Sequence, residues 1–193
     1  MMATEGQVLA GGGVQERGGH PCYNQHPKPL NLYLLLHFLH LAAAIVFVGG
    51  LFARQAVRAL ISGASEIDAV VTLTQVAGSV ERLMVIPGNL LAIAFGLMLA
   101  LYGRAPIFGF VQGAQRNWLL AAVLILVLLF PLVPLVFLPR GKLFEAALRE
   151  ASAEGTITPA LQQQMKDPVV RWAHMAEMIG VGLIVALMVF KPF

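Results

Sequence analysis

His37 and His40 stand three residues apart in the apolar run from Leu30 to Arg54, LNLYLLLHFLHLAAAIVFVGGLFAR. Three residues along a helix is about 300° of rotation, so both rings share one face. An ionisable ring inside such a run is costly unless it faces a bundle interior, and imidazole is a common ligand of haem iron. Further on, His174 is followed by Met175, Glu177 and Met178. Imidazole with thioether suits Cu(I), which makes His174, Met175 and Met178 a candidate copper set. His174 is also a candidate haem ligand opposite His37 or His40. The pairs Glu81-Arg82 and Arg171 with Glu177 bring acid and base together, so Glu177 and Arg82 are candidates for proton handling. The alternatives are structural. Histidines bond to carbonyls of neighbouring turns, ion pairs fix helix register, and methionine fills gaps in apolar packing. No nucleophile elbow, phosphate loop or zinc-hydrolase motif is present.

The elements that must position these residues are membrane spans. The chain is 58% hydrophobic and 12% charged, where soluble domains carry roughly 25% charged residues. A bilayer core about 30 Å thick needs about 20 apolar residues in a helix. Four runs qualify, at about 31–53, 82–102, 118–138 and 170–190. Long uncharged runs in lipid must be helical to satisfy their own backbone. The expected fold is therefore all-α: a polytopic four-transmembrane-helix bundle over 30–193, with short interfacial helices in the links. In the first link these are two amphipathic pieces within 55–80, broken near Ser62-Gly63. In the third they are Leu143 to Ala153 and a second piece opened by Thr158-Pro159. Pro87 sits two turns into the second span and Pro131, Pro134 and Pro139 kink the third. Depths follow from 1.5 Å per residue: His40 lies roughly 13 Å below the outer surface, Glu177 about 20 Å and His174 about 24 Å. His40, Asn89 and Glu177 are then expected near mid-membrane. The offset of about 10 Å between His40 and His174 counts against a simple bis-histidine pair.

Residues 1–29 read as a flexible extension rich in Gly, Pro and polar residues, with no hydrophobic segment of signal-peptide type. His20, Cys22 and His26 are incidental metal ligands there. Cys22 is the single cysteine, which excludes an intramolecular disulfide and a cysteine-cluster zinc site. The net charge of +3 comes from scattered basic residues, not a nucleic-acid-binding stripe. Eight Lys or Arg lie in or beside the links after spans one and three, against five on the other side. The positive-inside rule then puts both termini outside the bacterial inner membrane. The partners implied are the lipid bilayer and a second copy or another membrane protein, with no nucleic acid.

The motifs LHFLHLAAAIVFVGGLF, ERLMVIPGNLLAIAFGLMLA and the end LMVFKPF resemble the bacterial predicted integral membrane proteins called domain of unknown function 2269. A more distant resemblance is to the HemJ-type protoporphyrinogen oxidases, which have an LH motif, an E-R pair before the second span and a last span running from an acid to a KPF-like end. On that resemblance His40, Arg54, Glu81, Arg82, Glu177 and Lys191 match motif positions, and haem b or a porphyrin is the implied cofactor or substrate. The chain lacks the tryptophan and histidine motifs of that family's third span and has Ala176 where it has asparagine. The first span also resembles that of CopD-like membrane proteins. These likenesses imply a haem- or metal-binding protein in redox or porphyrin chemistry. The rival class is a non-enzymatic structural or assembly partner, with copper handling a further alternative.

Overall fold

A computed structural model describes residues 31–113 and 117–192. The N-terminal extension, including His20, Cys22 and His26, lies outside the described residues. Asn31 opens the first helix, α1 (Leu32–Gly63), by accepting a hydrogen bond from the Tyr33 N–H at 3.1 Å. With 32 residues α1 is about 48 Å long and outlasts the hydrocarbon core. Its run without a formal charge ends at Arg54, and its last turns lie beyond that residue.

After a break at residues 64–66 the chain returns as α2 (Ile67–Val80). It continues through a π-helical turn (Glu81–Val85) into α3 (Ile86–Tyr102). A short 3-10 turn (Gly109–Gln112) precedes α4 (Trp118–Leu129). A second π-helical turn (Val133–Phe137) leads to α5 (Leu138–Glu154), then α6 (Pro159–Met165) and α7 (Pro168–Phe190). Thr158 caps α6 and Asp167 caps α7 with their side chains. Four helical rods long and apolar enough to cross a membrane result, and there is no strand among the described residues. The helical links expected at the interface are present. Three of them extend spans rather than standing apart: residues 55–63 continue α1, α2 runs into α3, and α5 runs on from α4.

The two π-helical turns have one cause. Each is followed by one residue and then a proline, Ile86-Pro87 and Leu138-Pro139. Proline has no N–H, and its ring crowds the carbonyl four residues back. The N–H just before the proline reaches five residues back instead, from Ile86 to Glu81 and from Leu138 to Val133. The prolines thus widen the helices by a residue rather than breaking them.

Helix packing follows small residues, since lipid gives no hydrophobic drive for helices to associate. α1 and α3 pack antiparallel. A Cβ on Gly88 would meet the Phe47 backbone nitrogen at 2.8 Å, and one on Gly96 would meet the His40 ring at 2.9 Å. α4 and α7 form the second pair, where Gly180 leaves room for Leu129. The two pairs join at the end where the helices project. There Ile61, Val70, Ala147, Ala151 and Leu161, from α1, α2, α5 and α6, make a small apolar core. This cap lies at the other end of the bundle from Asn31 and Pro192.

A buried four-residue junction and an isolated histidine

α1 presents one seam inward. Leu36, Ala43, Gly50, Arg54 and Ile61 are buried on it, and His40 falls in the same four-three spacing. His40 and Arg54 therefore point to the same side of α1. Fourteen residues separate them, about 21 Å along the helix.

His40 is part-buried against α3, with its Nδ1 2.9 Å from the carbonyl oxygen of Ala92. A carbonyl can only accept, so Nδ1 carries the proton, and in the neutral ring the lone pair is on Nε2. Gly96 makes this possible, because any larger residue there would occupy the ring's place. His37 is exposed and tilts towards Tyr33, with ring centroids 6.1 Å apart.

Arg54 lies at the membrane end of the seam and is only 6% exposed. Its NH1 donates to Glu81 Oε2 at 2.8 Å, and its NH2 donates to Glu177 Oε2. His174, 4% exposed, sits between them: its Nδ1 is 3.3 Å from Arg54 NH2 and 3.2 Å from Glu177 Oε2. Phe137 stacks on the His174 ring at 4.4 Å between centroids, and the Arg54 guanidinium stands 5.8 Å from the same phenyl ring. All four rods contribute: Arg54 from α1, Glu81 from the first π-helical turn, Phe137 from the second, His174 and Glu177 from α7. Two buried atoms of this junction, Arg54 Nε and His174 Nε2, have no hydrogen-bond partner among the described residues.

The sequence candidates thus fall in different places. His174 and Glu177 meet; His40 and His37 stand about 21 Å and more along α1 from that meeting point. Arg82 and Arg171 are exposed, and neither pairs with the carboxylate beside it in sequence. Met175 is 46% exposed while its neighbour His174 is buried. Met178 and Asn89 are partly buried. Among the described residues no three of His, Cys, Asp and Glu are arranged to hold a metal ion. Arg54 is the central residue that side-chain chemistry alone missed, because a basic residue ending a span reads as a headgroup anchor. Its signal was the seam spacing from Leu36 and His40.

Four apolar helices, closed at one end by a buried ionic junction, define an integral membrane protein. The family of predicted integral membrane proteins designated DUF2269 matches residues 34–192, and the chain belongs to it. No curated protein and no solved structure matches the chain.

Proposed function

We propose that this protein binds haem b through His40 and serves a redox or porphyrin-related role in the bacterial inner membrane. The observation that supports this reading is the Nδ1–H bond from His40 to the Ala92 carbonyl. A ligating histidine characteristically donates its other ring N–H to a carbonyl or carboxylate, which fixes the ring and strengthens the ligand nitrogen. Gly96 and Ala92 perform that service here, and Nε2 is the nitrogen left for iron. Haem bound there would supply one-electron chemistry. The chain's own part is to hold the imidazole in one tautomer within an apolar helix pair. Likeness to HemJ-type proteins at His40, Arg54, Glu81 and Glu177 adds support, and the surplus of basic residues at the cap end favours both termini outside.

The same hydrogen bond also suits a histidine that only ties α1 to α3, which is the reading of a structural or assembly partner. Visible spectra of the purified protein, oxidised and dithionite-reduced, separate the two. A Soret band that shifts on reduction and is lost in a folded His40→Ala variant is the expected result. A colourless protein from haem-sufficient cells, or a His40→Ala variant that keeps its full spectrum, overturns the assignment. The copper reading gains nothing from the placement of His174 and Met175, which turn to different surroundings.

A further inference from the structure

The junction around Arg54 poses a question that ion pairing does not answer. His174 Nδ1 lies within hydrogen-bonding distance of two groups with opposite demands, 3.2 Å from a Glu177 carboxylate oxygen and 3.3 Å from an Arg54 NH2 group. An ionised carboxylate only accepts, and a guanidinium only donates. With a proton on Nδ1, the ring donates to Glu177 and Nε2 is bare. With Nδ1 bare, the ring accepts from Arg54 and Nε2 carries the proton. Each tautomer gains one partner at Nδ1, so the site selects neither. In both, Nε2 is buried with no partner among the described residues. A buried polar atom left unpaired costs about 1–3 kcal/mol, and such groups are rare without a functional reason.

The surroundings are built for this ambiguity. Two carboxylates, part-exposed Glu81 and part-buried Glu177, face the one buried guanidinium of Arg54. Arg58, exposed one turn further along α1, is the next nearest cation on that helix. Phe137 covers a face of the ring and fixes its plane. Glu81 and Phe137 come from the two π-helical turns, a distortion that recurs at functional sites.

We propose that His174 is a proton shuttle. Its Nδ1 exchanges a proton with Glu177, and its Nε2 exchanges one with a protic molecule that reaches it within the bundle, water being the simplest. In one passage the arriving molecule gives its proton to Nε2, the Nδ1 proton passes to the Glu177 carboxylate, and the arriving molecule is left as its conjugate base. Reversal restores the starting state, and no electron moves. Arg54 is the positioning residue, holding the Glu177 carboxylate against the ring. The inference does not depend on haem at His40.

Nitrogen-15 NMR of histidine-labelled protein in liposomes tests it, because protonated and bare ring nitrogens have different shifts. A His174→Gln variant identifies the His174 signals. A proton cannot cross the ring internally, so interconversion of tautomers requires proton delivery at Nε2. The expected result is two His174 tautomers linked by exchange in the wild type. In Glu177→Ala only Arg54 remains beside Nδ1, and the signal should collapse to the Nε2–H form by at least about tenfold. Glu177→Asp, which draws the carboxylate back by one methylene, keeps the test alive should the alanine variant not fold; it should shift the populations the same way. A single wild-type tautomer, a mixture without exchange, or populations unmoved by both variants overturns the proposal. The His40 signal, unchanged throughout, serves as the check on folding.

Discussion

One seam of α1 carries two polar side chains under different regimes. His40 is part-buried and held between two helices by a single hydrogen bond to a backbone carbonyl. Arg54, about 21 Å further along, is charged, closed off, bonded to side chains from two other rods and faced by Phe137 of the third. The first arrangement needs only a glycine opposite the ring. The second needs the whole bundle, since each group without its partners would be a buried charge. A site on two helices can be altered at little cost to the fold, whereas a change to a junction on four is felt by the whole bundle. Ligand chemistry therefore fits better at the His40 end, and proton transfer along fixed partners better at the Arg54 end.

The largest effect should come from breaking the junction. Arg54→Met leaves Glu177 and Glu81 without their cation and should cost about 3–5 kcal/mol, read as lost resistance to unfolding in detergent. A variant as stable as the wild type would show that the junction does not hold the bundle. Next comes the α1–α3 contact below His40. Gly88→Ala drives a methyl into the Phe47 backbone and should cost about 1–3 kcal/mol by separating the helices. If His40 depends on that spacing, the same substitution should also weaken any haem spectrum. His40→Ala should cost about 1 kcal/mol, the worth of one hydrogen bond, while removing all bound haem. A destabilisation as large as that of Arg54→Met would erase the contrast between the two sites. At the bottom is the Arg149–Glu145 pair on α5, 78% and 61% exposed at the side chains. Arg149→Ala should change stability by no more than about 0.5 kcal/mol.

Much of this fold is legible in the sequence, because four long runs in lipid have no alternative to helix. The links are read correctly as helical, but their continuity is not. Pro139 suggests a kink, while the structure absorbs it, like Pro87, by lengthening one turn, which depends on packing rather than on composition. The site is legible in its residue types and not in its pairing. Glu81 stands beside Arg82, and Glu177 is near Arg171, yet neither one residue nor six along a helix brings two side chains onto one face. Both acids turn instead to Arg54, 27 and 123 residues away in sequence. The mid-membrane meeting of His40, Asn89 and Glu177 assumed spans that end flush with the surface. α1 runs on to Gly63, which carries Glu177 to the level of Arg54 and leaves His40 well above it.

The cap has a consequence for synthesis. Its buried core joins Ile61 and Val70 to Leu161, across a hundred residues of chain. At about 5–20 residues per second, α1 and α2 wait on the order of 5–20 seconds for α5 and α6 to emerge on their side of the bilayer. During that interval Val70, fully buried in the finished protein, has no apolar partner from α5 or α6. Closure requires the first three spans to have crossed in the right direction, so the cap acts as a late check on insertion. A chain with a misdirected third span would leave this surface open to aggregation or proteolysis.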